Sequence, residues 1–181
     1  MILSLFAITL VGSAAVGVVY RVTEEPIVAA KTAKTTASIA MVLPPFENNP
    51  SEAMEIKEID GGEGVVYTAK NGDETVGYAV ETFTNNGFNG LIKLMVGFLP
   101  DGTIYKIEVL EHGETPGLGD KIENGKSGFS VQFEGKSLAT FNVAVKRDGG
   151  DVDAITASTI SSRAYGDAVT RAYKVFSAID K

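Results

Sequence analysis

The sequence contains no cysteine. That excludes thiolate-held iron–sulfur clusters, cysteine zinc sites, thiol redox chemistry and lipid attachment through an N-terminal cysteine. It fits either side of a membrane. Histidine is almost as scarce, with His112 the single example. Basic residues are outnumbered, 16 Lys and Arg against 23 Asp and Glu, for a net charge of −7. Nucleic acid is therefore an improbable partner, because that affinity depends on neutralising phosphates with Lys and Arg. No internal repeat or low-complexity segment breaks the 181 residues, which suit one globular domain plus one appendage.

The longest absence is of charge. Residues 1–20, MILSLFAITLVGSAAVGVVY, carry no Asp, Glu, Lys, Arg or His, and Arg21 ends the run. About 20 apolar residues at roughly 1.5 Å each match a bilayer core of about 30 Å. Ser13 and Gly17, four apart, offer a small-residue face for packing against another membrane helix. A cleaved signal peptide would begin with basic residues and leave through an A-x-A-like site, and neither is present. The expectation is a retained transmembrane helix. With no basic residue ahead of it, the positive-inside rule cannot orient it.

The remaining residues divide into a connector over 21–50 and a domain over 51–181. The connector reads as partly extended with a short helix possible at 27–42. Ser51 reads as the N-cap of a brief helix over EAMEIKEI. From residue 63 the hydrophobic period becomes two. Two runs flank Asn71-Gly72, and another pair, GLIKLMVGFL and TIYKIEVLEH, flanks PDG. These are hairpin signals and predict a twisted, mainly antiparallel sheet. FSVQF and FNVAV alternate in the same way and read as further strands. Ile160, Ala164, Ala168, Ala172, Val175 and Ile179 recur at helical spacing, predicting an amphipathic helix over about 160–178 that covers the sheet. The fold class is α+β.

Two segments could carry chemistry. Five hydroxyls, Thr156, Ser158, Thr159, Ser161 and Ser162, crowd the start of the last helix. The first N–H groups there lack intrahelical partners and the macrodipole favours an anion, so the place suits a phosphate. No Gly-x-x-x-x-Gly-Lys pattern accompanies them, which argues against a nucleotide P-loop. Over-capping by Ser158 or Thr159 with solvated neighbours is the competing reading. The second segment is EHGETPGLGDKIE, residues 111–123. Its proline stiffens a turn in which Gly117 and Gly119 permit close approach to the backbone.

The wording ETPGLGDKIE together with DAITASTISSRA, the N-terminal run and the length closely resembles the G subunit of the Rnf electron-transport complex. It is more distantly similar to the C subunit of the sodium-translocating NADH:quinone reductase. The resemblance implies a domain carrying FMN, attached through its phosphate to a threonine by a separate flavin transferase that uses FAD. The family's acceptor pattern runs Asp, two variable residues, Ser or Thr, Gly, Ala, Thr. Here it begins at Asp153, with Thr156 in the Ser/Thr place and Thr159 as the implied FMN acceptor; Ala157 and Ser158 replace the usual Gly and Ala. Ser158 is a second possible acceptor. Ser161 and Ser162 are further hydroxyls for the phosphate. Glu114, Thr115, Gly117, Leu118 and Gly119 are implied pocket residues.

Other residues have two readings each. Phe88, in the TNNGFNG turn with Gly87 and Gly90, packs near the flavin ring or simply closes a hairpin. His112 bonds the flavin, relays protons or ends a strand in solvent. Lys121 and Arg163 face the phosphate or the reduced flavin's charge or are ordinary surface cations, and Glu111 and Glu114 read as a general acid/base pair or as surface carboxylates. The expected whole is a single-pass protein of the bacterial inner (cytoplasmic) membrane with its soluble domain on the periplasmic or extracytoplasmic side. It would work with other subunits of an Rnf-type complex that couples electron flow to Na⁺ or H⁺ transport, with no metal site of its own. The alternatives are the quinone reductase flavin subunit, an anchored module binding a phosphate-bearing ligand reversibly, and a colourless assembly subunit.

Overall fold

In the computed structural model the described residues are 2–59 and 62–179. The chain forms two compact units, Met1–Thr36 and Ala37–Lys181. The first is helical. Helix α1 spans Ile2–Val42, with Pro26 inside it. The helix held possible at 27–42 is present as the end of α1, and the extended part of the expected connector ahead of it is corrected, since helix is continuous to Val42. The sequence from 27 to 42 is rich in alanine, the strongest helix former, and its last turn buries Ile39 and Val42. Large apolar side chains of the first unit, from Leu5 to Val28, are exposed around the helix. Among the described residues no helix is long and apolar enough to cross a membrane.

The second unit is built on a five-stranded antiparallel meander in the order β1-β2-β3-β4-β5. The strands are β1 (Met54–Ile59), β2 (Gly62–Asn71), β3 (Glu74–Gly87), β4 (Gly90–Phe98) and β5 (Ile104–His112). Both expected hairpins are present. Asn71 pairs with Glu74 around Gly72 at φ 59°, and Gly102 turns between β4 and β5 at φ 86°. Helix α2 (Thr159–Ser177) lies on one face. Its Ala164, Tyr165, Ala168, Val169, Ala172, Val175 and Phe176 pack on Val66, Val80, Leu94, Val96, Phe98 and Ile107. Ile39, Val42, Leu43 and the flanking Phe46 cover Tyr67, Ala79, Met95 and Leu110 on the opposite face. Gly97 of β4 makes this second layer possible, because a Cβ there would stand 1.7 Å from the Val42 carbonyl oxygen.

Three expected elements differ. Ser51 caps no α-helix: Pro50–Ala53 is a single 3₁₀ turn and MEIKEI is strand β1, paired from Met54↔Tyr67 to Ile59↔Gly62. An alternation of only six residues serves either geometry, and the open edge of β2 selects the strand. FSVQF is no strand either. Phe129 and Phe133 are both buried while Val131 is 57% exposed, so the alternation of a strand does not hold; Ser130–Phe133 is a 3₁₀ turn whose buried Ser130 and Phe133 lie three apart. FNVAV joins no sheet; its one bridge is Val145↔Val152. The side chains of Phe129 and Phe133 instead stack edge-on and tilted against Tyr165 of α2. The long segment between β5 and α2 thus wraps the helix and delivers its N-terminus to the end of the sheet where the β3–β4 hairpin turns.

Candidate functional site

Three segments meet around one cavity of about 300 Å³. The β3–β4 hairpin tip contributes Phe88. The loop after β5 contributes Glu114, Thr115, Leu118 and Gly119. The start of α2 and the turn before it contribute Ala157, Ser158, Thr159, Ile160 and Ser161. Phe88, Leu118 and Ile160 are 64%, 43% and 46% exposed. Three large apolar side chains left in water around one hollow are a surface suited to a flat hydrophobic group. Ile160 belongs to this rim, which corrects the expectation that it joins the buried stripe of α2.

Thr159 is half-buried at the first position of α2. Ser158 occupies the N-cap position, yet its side chain makes no capping hydrogen bond. The first-turn N–H groups and the positive end of the helix thus stand beside the Thr159 hydroxyl with no capping side chain from Ser158. Over-capping, the competing account of the hydroxyl cluster, does not describe this helix. Ala157, immediately before, has φ 63°. It is the non-glycine residue with positive φ among the described residues, and it turns the chain so that Ser158 and Thr159 enter the cavity.

The other hydroxyls separate by role. The Ser161 hydroxyl donates to Glu114 Oε2. Ser162 is fully buried; its Oγ accepts the Ile155 N–H at 2.9 Å and donates to the Ser158 carbonyl at 3.0 Å. It ties the preceding turn and does not line the cavity. Thr156 lines a neighbouring hollow with Lys121, Gln132 and Asp153. Gly117 is an exposed turn glycine at φ 77° outside the cavity lining. The structure therefore gathers Thr159, Ser158, Ser161, Glu114, Thr115, Leu118 and Gly119 and leaves out Thr156, Ser162 and Gly117. Gly87 and Gly90 are hairpin residues outside the lining. Arg163 does not face the cavity either, because Nε and Nη2 bond Asp148 at 2.6 and 2.8 Å.

Beneath the loop lies a charged cluster. His112 Nδ1 accepts the Glu114 N–H at 3.0 Å, which makes Nε2 the donor to Glu123 Oε1 at 2.5 Å. These bonds assign the neutral tautomer with the proton on Nε2. His112 is thus occupied in holding the loop. Lys126 bridges Asp120 and Glu123 at 3.1 and 2.9 Å. The hydrogen bond from His112, with Lys126 next, holds the Glu123 carboxyl below its ordinary range. Lys126 does the same for Asp120 and is itself raised by Glu123 and Asp120. Glu111 is exposed. Among the described residues no group of acidic, His or Cys side chains could hold a metal ion.

Sequence reasoning missed Asn89, whose backbone N–H reaches Glu114, and the positive φ at Ala157. Only the Ala in a place where Gly is usual hinted at the latter. The FMN-binding domain family matches residues 87–174, a span that begins at the hairpin tip, ends inside α2 and contains every cavity-lining residue. Among curated proteins, the G subunit of the ion-translocating oxidoreductase complex of Salmonella typhi is 42% identical over 139 residues, 72% of this chain and 68% of that relative.

The chain belongs to this family of G subunits.

The corresponding protein of Haemophilus influenzae strain PittEE is 37% identical over 153 residues, covering 81% of this chain and 74% of the relative. That of Escherichia coli K12 is 44% identical over 118 residues, 64% and 57% of the two chains. As a member of the G-subunit family, the chain presents a hydroxyl, a helix N-terminus and three apolar walls in one place. The relatives are named as subunits of an ion-translocating oxidoreductase complex.

Proposed function

We propose that this chain is the electron-transfer subunit of an Rnf-type ion-translocating oxidoreductase and carries FMN bound covalently through its phosphate to Thr159. The supporting observation is the position of Thr159: first residue of α2, half-buried, in a cavity shared with the proline–glycine loop. The residues present fit such a group. Phe88, Leu118 and Ile160 supply apolar contact for a ring system. The N-terminus of α2 supplies N–H donors and a favourable dipole for a phosphodiester, worth about 0.3–1 kcal/mol and up to roughly 2 when partly buried. That orients the phosphate, while the ester bond holds it. When bound, FMN supplies the redox chemistry; the protein excludes water from one face and fixes the phosphate.

Attachment requires a flavin transferase. Thr159 would supply the hydroxyl oxygen of the new phosphoester and FAD the flavin phosphate, with AMP as the leaving group. A threonine hydroxyl is a weak nucleophile without a base, so the hydroxyl proton passes to the transferase. Electrons then arrive from and leave to cofactors of other subunits, and ion passage belongs to those subunits. The coupling ion is Na⁺ or H⁺. The names of the relatives favour this complex over the quinone reductase.

The membrane anchor is part of the same reading. It rests on the opening run of the sequence taken whole, Met1–Tyr20, which carries no charge, and on the exposed apolar side chains of α1. The soluble unit then lies on the extracytoplasmic side of the bacterial inner membrane.

Coexpression with a flavin transferase, followed by intact mass under denaturing conditions and peptide mapping, tests the assignment. The wild-type chain should gain the mass of one FMN ester on the peptide containing Thr159, and Thr159→Ala should gain none. Flavin on the same peptide of the Thr159→Ala protein would refute the acceptor. An unmodified wild type would refute the covalent reading.

A further inference from the structure

We infer that Glu114 is a positioning residue: its buried carboxylate fixes the three walls of the cavity against one another. The inference relies on the functional reading above for its flavin readout, and on geometry alone for the rest. Glu114 is 4% exposed. Oε1 accepts the backbone N–H of Asn89 at the hairpin tip at 3.0 Å, and Oε2 accepts the hydroxyl of Ser161 in the first turn of α2. Its own N–H donates to His112 Nδ1 at 3.0 Å, anchoring the loop to the end of β5. One side chain thus connects the segment bearing Phe88, the segment bearing Leu118 and the segment bearing Thr159 and Ile160.

The surroundings are shaped to this carboxylate. A Cβ at Gly119 would lie 2.5 Å from Oε2 and 2.6 Å from Ser161 Oγ. A Cβ at Gly87 would lie 2.8 Å from Oε1. Two glycines on different segments therefore leave room for one acid. The base of the hairpin has a separate tie, since Thr84 Oγ1 and Asn86 Nδ2 donate to Asp167 of α2 at 2.6 and 3.1 Å. The tip, with Phe88, is held to the loop by Glu114 and by Asn89 Nδ2, which donates to the Gly113 carbonyl at 2.7 Å. Burial raises the penalty of leaving either donor without its acceptor. Glu114 acts on a bound group through Asn89 and Ser161, not by its own reactivity.

The test uses the full chain with and without coexpressed flavin transferase, as wild type, Glu114→Ala, Glu114→Gln and Ser161→Ala. On the unmodified protein, hydrogen exchange of the Asn89 amide should quicken about tenfold or more in Glu114→Ala, the loss of a hydrogen bond to a charged group. Glu114→Gln should hold the rate near wild type, because Oε1 still accepts and the amide can donate to Ser161 Oγ. On the flavin-bearing protein, fluorescence anisotropy of the attached flavin should fall in Glu114→Ala and in Ser161→Ala and be retained in Glu114→Gln. Unchanged Asn89 exchange in Glu114→Ala would overturn the inference, as would wild-type anisotropy in Ser161→Ala. If Glu114→Ala does not fold, the Ser161→Ala comparison decides. If the wild type takes no flavin, the functional reading fails, while the Asn89 measurement still judges the tie.

Discussion

Ala157 sits at φ 63°, in the left-handed region that an L side chain enters at a cost of about 1–2 kcal/mol. Glycine would adopt it freely but lose more freedom on folding, about 0.5–1 kcal/mol. Ala157→Gly should therefore stabilise the unmodified chain by about 0.5–1 kcal/mol, read from the urea midpoint at constant m-value. A lower midpoint would mean that the Ala methyl makes a contact outweighing the strain. The five-hydroxyl cluster shows what is and is not legible at this scale. A helix start was visible from hydroxyls ahead of an apolar period. Which oxygen faced the cavity was not, because Thr159, Ser161 and Ser162 share one chemistry. They are separated only by the roughly 100° rotation between successive helical residues, which turns Ser162 inward to Ile155 and Ser161 toward Glu114.

Among the elements, the sheet and α2 were readable because their patterns are long. Strand β3 runs for 14 residues and α2 for 19, enough for the period to identify itself. Patterns of five or six residues failed. MEIKEI, FSVQF and FNVAV each fit more than one geometry, and neighbours supplied the decision: an open edge on β2, and the aromatic surface of Tyr165. The second layer over the sheet was invisible for another reason. It depends on the end of α1 crossing Gly97, a contact between residues far apart in the chain. Gly97→Ala should disrupt it, since the new Cβ would meet the Val42 carbonyl oxygen and the backbone must shift. A loss of about 1–3 kcal/mol is expected, measured by thermal or urea unfolding. Wild-type stability would show that this layer yields without penalty.

For the whole molecule, the sequence divides its labour sharply. The opening twenty residues hold no charge, whereas the remainder holds all 16 basic and 23 acidic side chains. On the reading proposed here, expression of residues 21–181 should leave the protein in the supernatant after membranes are sedimented, while the full chain pellets with them and is released by detergent. A full chain that stays in the supernatant without detergent would remove the anchor from the account. The two motifs that carry the family resemblance are short and contiguous in the sequence, which is why membership of the G-subunit family was more legible than the loop geometry of the cavity.

The cavity lining contains one carboxylate, Glu114, and no Lys or Arg. Arg163 is paired with Asp148, and Lys126 with Asp120 and Glu123. Negative charge added to a group seated there would face the Glu114 carboxylate, with the N-terminus of α2 as the compensating positive end. On the function proposed above, a flavin seated there would gather negative charge on reduction, and the Glu114 carboxylate in the lining would disfavour that reduction.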